Sequence, residues 1–300
     1  MKALSISGLN MSIARRRILH DISLDVEEGE YVGIVGENGA GKTSLLKCIC
    51  GLWNYQSGKI SVGGFEFKRD RYRYMERLGA LIEYPNVFPE MTLRENIDYF
   101  GGLCRVDYGS YTEELLDLLR LRGVQHEKVK TYSSGMKQKV CLFVVLMKKP
   151  QVCIFDEPTA MLDPKSAADI RAFLSSLRKR RKLTLLISGH NLHEMETLCD
   201  RVILLEHGRF LRQLKSEKTA KKYRLEFSDE AEAKKILSRS DGYSVCKSGK
   251  DIIFSGNGAQ LKQYLVTLNP DIVDLEQTDQ LEDAFLEACA DEEKNEMVND

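Results

Sequence analysis

One eight-residue segment constrains the fold of this chain more than any other feature. Residues 36–43 read Gly-Glu-Asn-Gly-Ala-Gly-Lys-Thr and match the pattern GxxxxGK[ST]. An apolar stretch, Tyr31–Val35, precedes them, and a helical pattern, Thr43–Cys50, follows. Glycines let successive backbone N–H groups turn toward one anion, and the dipole of the following helix adds to the attraction. The sequence therefore predicts a strand, a phosphate-binding loop and a helix in that order.

The loop residues have predicted roles toward a chain of phosphates. Lys42 is expected to reach the β- and γ-phosphates, and the hydroxyl of Thr43 is expected to bind Mg²⁺. Backbone groups of the loop and the first helical turn should surround the phosphates. The residues predicted to form this cradle are Gly36, Glu37, Asn38, Gly39, Ala40, Gly41, Lys42, Thr43 and Ser44.

A second segment, about 110 residues further on, carries two adjacent carboxylates. The apolar stretch Val152–Phe155 predicts a buried strand, and Asp156 and Glu157 follow directly. Ligands of α/β proteins bind at the carboxyl ends of the strands, so the pair should face the phosphate loop. Asp156 is expected to hold Mg²⁺, directly or through water. Glu157 is then expected to polarise the attacking water as a general base.

Apolar strands alternate with helical patterns through the first two thirds of the chain, which predicts a mainly parallel sheet covered by helices. Further predicted strands are Leu78–Ile82, Leu183–Ile187 and Val202–Leu205. Further predicted helices are Leu93–Leu103, Glu113–Leu121, Ser134–Lys148 and Ser166–Leu177. Ser110 and Glu113 have the spacing of a capping box, which predicts a helix start there.

Three further segments occur in a characteristic order behind these two motifs. They are Tyr132–Met136, Ala160–Asp163 and Ser188–His190. With them the chain resembles, over about residues 2–215, the nucleotide-binding subunit of an ATP-binding cassette (ABC) transporter. The resemblance implies a P-loop NTPase cassette of the α/β class, with a mainly parallel sheet core, an antiparallel β subdomain and a helical subdomain.

The resemblance also implies ligands, partners and site residues. ATP with Mg²⁺ would be hydrolysed, with Glu157, His190 and Lys42 as the catalytic residues. Ser133 and Gly135, at the start of a helix, would grip the γ-phosphate of ATP held by a second cassette, and Asp163 would lie beside them. One phosphate loop and one such signature per chain imply a partner cassette, either a second copy or a homologous subunit.

Four positions depart from the family pattern. Ser134 and Met136 replace the usual Gly and Gln of the signature, and Ile13 stands where an aromatic residue usually stacks on adenine. Glu83 replaces the Gln that touches Mg²⁺ and the attacking water. A Glu there resembles cassettes of bacitracin- and lantibiotic-resistance exporters and would make Glu83 a metal ligand; a neutral substitution is the alternative interpretation.

The composition changes near Lys215. A small accessory α+β domain is predicted over residues 216–290, with Tyr223–Phe227 as an edge strand. Further elements are predicted at Glu230–Ser238, Tyr243–Val245, Asp251–Phe254, Gln260–Leu268, Ile272–Leu275 and Leu281–Ala288. Residues 291–300 carry five acidic residues and one Lys, which is typical of a disordered tail. The accessory domain resembles the extension of cassettes that work with six-helix export permeases.

Composition limits the choice of function. Lys and Arg number 44 against 45 Asp and Glu, a net charge of −1 that argues against nucleic acid as the main partner. No apolar run approaches the length of a membrane span, and eight cysteines form no CxxC pair. The leading hypothesis is an exporter ATPase on the cytoplasmic face of the membrane, bound to a separate permease through Val87–Tyr99. A soluble ABC ATPase acting on ribosomes or DNA, and a binding-only regulatory cassette, are the alternatives.

Overall fold

The chain forms two compact units, Met1–Gln213 and Leu214–Asp300, in the computed structural model. The structure describes residues 1–83, 87–106, 109–180, 183–215, 221–227, 230–238, 245–248, 251–256, 258–268 and 272–278. The predicted closing segment of the accessory domain, Leu281–Ala288, and the acidic tail 291–300 lie outside the described residues. Each unit has a hydrophobic core of its own.

The first unit contains ten strands and seven α-helices within its described residues. The strands are β1 (Lys2–Ile13), β2 (Arg16–Glu27), β3 (Tyr31–Val35), β4 (Ser57–Val62), β5 (Phe65–Glu66), β6 (Leu78–Leu81), β7 (Val152–Phe155), β8 (Thr184–Gly189), β9 (Arg201–Glu206) and β10 (Arg209–Lys215). The helices are α1 (Lys42–Ile49), α2 (Arg71–Arg77), α3 (Leu93–Cys104), α4 (Ser110–Leu118), α5 (Ser134–Leu146), α6 (Pro164–Arg180) and α7 (Leu192–Leu198).

A six-stranded sheet with the order β10-β9-β3-β8-β7-β6 forms the centre of this unit. Strand β3 pairs in parallel with β8 and β9, and β7 pairs in parallel with β8 and β6. Every residue of β3, β7 and β8 is buried, as expected of strands covered on both faces. The parallel sheet predicted from the alternation of strands and helices is confirmed. Its order places the carboxyl ends of β3, β8 and β7 side by side.

A second, antiparallel sheet has the order β2-β1-β4-β5. Its long strands β1 and β2 alternate between buried and exposed residues over most of their length, so each buries one face. The buried face shares one hydrophobic core with α1 and the parallel sheet, through residues such as Leu4, Leu19 and Leu45. The family resemblance implied this sheet, whereas the strand patterns identified from residues alone did not include its members.

The helices predicted within the described residues are present, with starts within three residues of their predictions, but the cap predicted for α4 is not. Helix α4 begins at Ser110, its N-cap is Gly109, and no side chain caps it. The capping box predicted at Ser110 and Glu113 is therefore wrong, because Ser110 already lies inside the helix. The structure instead forms a capping box at α3. There the Glu95 backbone N–H donates to Thr92 Oγ1 at 3.1 Å, and the Thr92 N–H donates to Glu95 Oε2 at 2.7 Å.

The described residues of the second unit follow the order β-α-β-β-α-β. They form β11 (Lys221–Phe227), α8 (Glu230–Leu237), β12 (Val245–Ser248), β13 (Asp251–Gly256), α9 (Gly258–Leu268) and β14 (Ile272–Thr278). The sheet order is β12-β13-β11-β14, all antiparallel, as in ferredoxin-like folds. The prediction of an edge strand at Tyr223–Phe227 is wrong, because β11 lies between β13 and β14. Alternation of apolar and polar residues shows only that one face of a strand is buried. An interior strand has the same alternation when one face of its sheet is exposed to solvent.

None of the helices in the described parts of the chain has the length and apolar character needed to cross a lipid bilayer.

Candidate active site

Close backbone packing fixes the glycine-rich loop between β3 and α1. A Cβ at Gly36 would lie 2.1 Å from the carbonyl oxygen of Leu205, at the end of β9. Only glycine fits at such a distance. Gly41 has φ +109°, a backbone conformation open to glycine, and serves as the N-cap of α1. The Gly208 N–H donates to the Ala40 carbonyl at 2.9 Å, so the turn after β9 holds the loop from the other side.

Lys42 is the first residue of α1, and its side chain turns back over the loop. Its Nζ donates to the carbonyls of Gly36 at 2.7 Å and Glu37 at 3.1 Å. The side chain is only 5% exposed, yet its ammonium has acceptors on several sides. A buried charge needs such partners, and phosphate oxygens would be equally suitable ones. Thr43 and Ser44 follow in the first turn and are partly exposed.

The carboxylates of Asp156 and Glu157 follow β7, as predicted. Ser188 on the adjacent strand β8 connects them. Its hydroxyl donates to Asp156 Oδ1 at 2.6 Å and accepts from the Glu157 backbone N–H at 2.9 Å. From the other side, the Asp156 N–H donates to the Leu81 carbonyl of β6 at 2.8 Å. Asp156 is 8% exposed, so its carboxylate is buried in a fixed orientation.

Glu157 adopts a positive φ of 46°, which is unusual for a residue other than glycine. This turn directs its carboxylate toward His190, which follows β8. Glu157 Oε2 lies 2.7 Å from His190 Nε2, and Oε1 lies 3.5 Å from Lys42 Nζ. Lys42 Nζ also lies 3.4 Å from His190 Nδ1. Because the ammonium can only donate, this geometry assigns the proton of a neutral imidazole to Nε2, which donates to Glu157.

The three residues predicted to be catalytic therefore meet in one cluster. Lys42, Glu157 and His190 come from the ends of β3, β7 and β8, which are neighbours in the sheet. The cluster combines a cation, a carboxylate and an imidazole at the carboxyl edge of a parallel sheet, where ligands of such proteins bind. It can bind an anionic group through Lys42 and accept a proton at Glu157.

The predicted signature residues form a separate arrangement. Ser133 is the N-cap of α5, and its Oγ accepts from the Met136 N–H at 3.2 Å, leaving its own proton free to donate. A Cβ at Gly135 would lie 2.3 Å from Ser166 Oγ at the start of α6. Asp163 Oδ1 accepts from the Lys165 N–H at 3.1 Å and the Ser166 N–H at 3.0 Å. The hydrogen bonds from Ser166 lower the pKa of Asp163. Thus the two helix starts lie together, and their hydrogen bonds within the described residues are local to α5 and α6.

Glu83 lies two residues after β6 and has φ 58°. Its Oε1 pairs with Lys47 Nζ at 2.5 Å, on the second turn of α1. The carboxylate is thus at the predicted edge of the sheet, but the structure gives it a lysine as its partner. Ile13, the residue predicted near adenine, ends β1 and is 44% exposed, which leaves an apolar surface without an aromatic ring.

The predicted oxygen donors fit Mg²⁺ in type. The Thr43 hydroxyl and the Asp156 and Glu83 carboxylates are hard ligands. The described residues contain no group of three or more His, Cys, Asp or Glu side chains able to hold a metal by themselves. Mg²⁺ commonly binds through one or two carboxylates plus substrate phosphates, so this donor set fits a metal that arrives with a nucleotide.

Two residues of the site had no role in the sequence-based interpretation. The sequence pattern gives Ser188 no role beyond its place in the segment that ends in His190, and it gives Lys47 none. Ser188 could not have been identified by spacing, because its contacts cross from β8 to β7. Lys47 had one available signal: it lies four residues after Thr43 on the same helix, so both face the same side.

Comparison with known proteins identifies the family. A family model described as ABC transporter matches residues 19–160. An uncharacterised ABC transporter ATP-binding protein, YdbJ of Bacillus subtilis (strain 168), is 32% identical, with 98% of each chain covered. The bacitracin transport ATP-binding protein BcrA of Bacillus licheniformis is 30% identical over 93% of this chain and 95% of its own length. The methionine import ATP-binding protein MetN of Clostridioides difficile (strain 630) is 30% identical over 69% of this chain and 67% of its own.

Solved structures agree on the fold. The ATP-binding subunit of an ABC transporter superposes with a TM-score of 0.64 at 24% identity, covering 89% of this chain and 99% of its own. The chain therefore belongs to the ABC transporter family as an ATP-binding subunit, and its fold is the ABC ATPase cassette. It is an ATPase, and it resembles the bacitracin-transport type over most of its length.

Proposed function

We propose that this ATPase hydrolyses Mg²⁺–ATP at the cluster of Lys42, Glu157 and His190 and drives export through a separate membrane permease. The cluster itself is the observation that supports the proposed site: three residues from three segments of the sequence meet around one position for a phosphate. The full-length likeness to the bacitracin-transport subunit supports export.

Within the proposed site each residue acts on the phosphate end of ATP. The loop Gly36–Thr43 and Ser44 surround the phosphates, and Lys42 exchanges loop carbonyls for β- and γ-phosphate oxygens. Glu157 accepts a proton from the attacking water, with His190 held against it by their hydrogen bond. Ser188 keeps the two carboxylates in separate roles, because it binds Asp156 through its proton and Glu157 through its backbone N–H.

The metal part of the proposal uses the donors of Thr43, Asp156 and Glu83. Bound Mg²⁺ would neutralise charge on the phosphates. Asp156 is already oriented by Ser188, which leaves its second carboxylate oxygen to face a metal. Glu83 would have to leave Lys47 to take part.

A second cassette completes the proposed site. Ser133 and Gly135 lie at the start of α5, where a free hydroxyl proton and the helix dipole favour an anion. Gly135 packs against Ser166 of α6 in its own chain. As in the cassettes that this chain resembles, the γ-phosphate that Ser133 and Gly135 would bind belongs to the partner cassette. Asp163, at the adjoining start of α6, is placed to lie in the same interface. ABC ATP-binding subunits dimerise, and this arrangement requires a head-to-tail pair.

The proposed permease-binding surface is an aromatic group formed by Phe88, which precedes α3, and by Tyr99 and Phe100 in the second half of that helix. The rings of Phe88 and Tyr99 lie 4.9 Å apart, and those of Phe88 and Phe100 lie 5.9 Å apart. Phe88 is 40% and Tyr99 44% exposed, so the group presents apolar surface to a partner. Asn96 holds Phe88 in place, accepting from its N–H at 2.8 Å and donating to its carbonyl at 3.0 Å. Docking there would keep this chain on the cytoplasmic face of the membrane.

The direction of transport rests on which relatives match the second unit. The first unit, Met1–Gln213, is 71% of the 300 residues. The match to the bacitracin-transport protein covers 93% of the chain and so must extend into the second unit, whereas the methionine-import match covers 69%. We therefore place this chain with antimicrobial-peptide or drug exporters.

Susceptibility testing checks this assignment in the native host. Disruption of the gene should lower the inhibitory concentration of bacitracin or another peptide antibiotic, and the wild-type gene should restore it. The Glu157→Gln allele, as matched control, should fail to restore it. Unchanged susceptibility across a panel of exported drugs, together with loss of nutrient uptake, would contradict export.

Nucleic-acid binding has less support. Of the basic run at 178–182, Arg178 pairs with Asp200 and Arg180 with Glu114. Within the described part of this run, both arginines therefore have carboxylate partners in their own chain.

A further inference from the structure

Glu83 is one of the proposed metal donors, but its ion pair with Lys47 has no role in the hydrolysis chemistry described above. Lys47 Nζ lies 2.5 Å from Glu83 Oε1 and 4.6 Å from the ring centroid of Trp53, within cation–π range. Lys47 is 14% exposed, whereas Glu83 is 57% exposed. The lysine is therefore held on two sides, and the glutamate is the partner with room to move.

The pair lies next to the proposed metal position. Lys47 follows Thr43 by four residues in α1, so the two share a face one helical turn, about 5.4 Å, apart. Glu83 follows β6, and the Leu81 carbonyl of that strand accepts from the Asp156 N–H. Both partners of the pair therefore lie on elements that carry or hold a proposed metal donor: α1 carries Thr43, and β6 binds the backbone of Asp156.

We propose that Lys47 is a positioning residue that holds Glu83 away from the Thr43–Asp156 position until a nucleotide arrives with its metal. This inference rests on the proposed Mg²⁺–ATP site. A divalent cation attracts a carboxylate more strongly than one ammonium does, so Glu83 leaves Lys47 when Mg²⁺ is present. Without metal, the pair neutralises a negative charge that would repel the incoming phosphates.

Trp53 supplies a direct readout, because it is the only tryptophan in the chain. The full-length protein is saturated with a non-hydrolysable ATP analogue and titrated with Mg²⁺ while tryptophan emission is recorded. Binding of Mn²⁺ by electron paramagnetic resonance gives the metal affinity independently. In the wild type, emission should change as metal binds, because Lys47 loses Glu83 while it remains beside the ring.

Lys47→Met removes the charge and keeps an apolar side chain against Trp53. It should tighten metal binding about two- to five-fold, the range expected for losing one partly exposed ion pair as a competitor. It should also abolish the metal-dependent change in emission. Lys47→Arg, which keeps the pair, should behave as the wild type. Lys68→Met is the matched control, because Lys68 also lies over an aromatic ring, Tyr55, at 4.2 Å.

The double variant shows whether Lys47 acts on metal binding by holding Glu83, which we call the gate, or only through its own positive charge. On the Glu83→Gln background, Lys47→Met should no longer change metal affinity. An equal change on both backgrounds, or none in Lys47→Met alone, overturns the gate. If Lys47→Met does not fold, Glu83→Gln tests the gate from the exposed partner, since it must also lose the emission change.

Glu83→Gln separates the two proposals. Weaker Mn²⁺ binding with retained nucleotide binding supports Glu83 as a ligand. If the Mn²⁺ affinity of Lys47→Met is then the same as that of the wild type, only the gate is overturned. Unchanged Mn²⁺ binding in Glu83→Ala, which leaves no side-chain oxygen at this position, overturns the metal role of Glu83 and the gate with it.

Discussion

Glu157 unites the features expected of a general base in this site. Its backbone has φ 46°, and its carboxylate meets both Lys42 and His190. Strained backbone of this kind persists where surrounding contacts hold it, and here the Ser188 hydroxyl binds the Glu157 N–H. The residue-scale predictions follow from this arrangement.

Glu157→Gln should abolish turnover and leave ATP binding intact. The amide keeps the shape and a hydrogen bond to His190 but cannot accept the proton, so kcat should fall about 10²–10⁴-fold. ATP should then hold two cassettes together. Phosphate release measures the first effect, and size-exclusion chromatography with ATP measures the second. Hydrolysis at the wild-type rate would show that another group is the base.

Ser188→Ala should reduce both stability and metal-dependent nucleotide binding. It leaves a buried Asp156 oxygen and the Glu157 N–H without their partner, at a cost of about 1–3 kcal/mol in the free energy of unfolding. Ser176→Ala is the control, since that hydroxyl donates only to the Phe173 carbonyl of its own helix. Chemical denaturation and Mg²⁺ titration compare the two. If both variants have the same stability and the same Mg²⁺ dependence, Ser188 does not hold Asp156 and Glu157 in place.

At the scale of single elements, helix starts distinguish Thr92 from Ser110. Thr92 caps α3 through a reciprocal pair of hydrogen bonds, whereas Ser110 lies within α4 without a capping bond. Thr92→Ala should lower the free energy of unfolding by about 1 kcal/mol, and Ser110→Ala should change it far less. Thermal unfolding of both variants checks this, and the opposite order would restore the capping box predicted at Ser110.

The same cap should depend on pH. Hydrogen bonds from the backbone and side chain of Thr92 lower the pKa of Glu95 below its usual 4.5. A lowered folded-state pKa gives stability that is present above the unfolded value and is lost as pH falls through the folded one. The difference between wild type and Thr92→Ala should therefore shrink below about pH 4.5. A difference that stays constant down to pH values below the folded pKa would show that Glu95 contributes nothing to the cap.

At the scale of the whole molecule, the two units have separate hydrophobic cores. The site residues all belong to the first unit, Met1–Gln213, and its last strand, β10, ends two residues further on at Lys215. A chain cut after Ala220 should fold and bind ATP with wild-type affinity. Calorimetry should show the transition of the second unit missing from the truncated protein. Loss of nucleotide binding on truncation would show that the second unit supports the site.

The sequence alone determined the local parts of this protein. The positions of Gly36–Thr43, Asp156 and Glu157 at the ends of β3 and β7 could be predicted, because they depend on neighbours along the chain: a strand before, a helix after, and glycines at fixed spacing. The parallel sheet followed from alternating patterns. Two features did not follow from the sequence: the position of Tyr223–Phe227 within its sheet and the start of α4. A burial pattern does not specify the order of strands, and several residues can begin a helix.

Tertiary structure decided which distant residues meet. Lys42, Glu157 and His190 are separated by 115 and 33 positions, and the strand order β3-β8-β7 alone brings them within 3.5 Å of one another. The contact of Ser188 with Asp156 and that of Lys47 with Glu83 depend on the same sheet. Hydrogen bonds and ion pairs act over a few ångströms, so they become visible only after the strands are ordered and the buried faces packed.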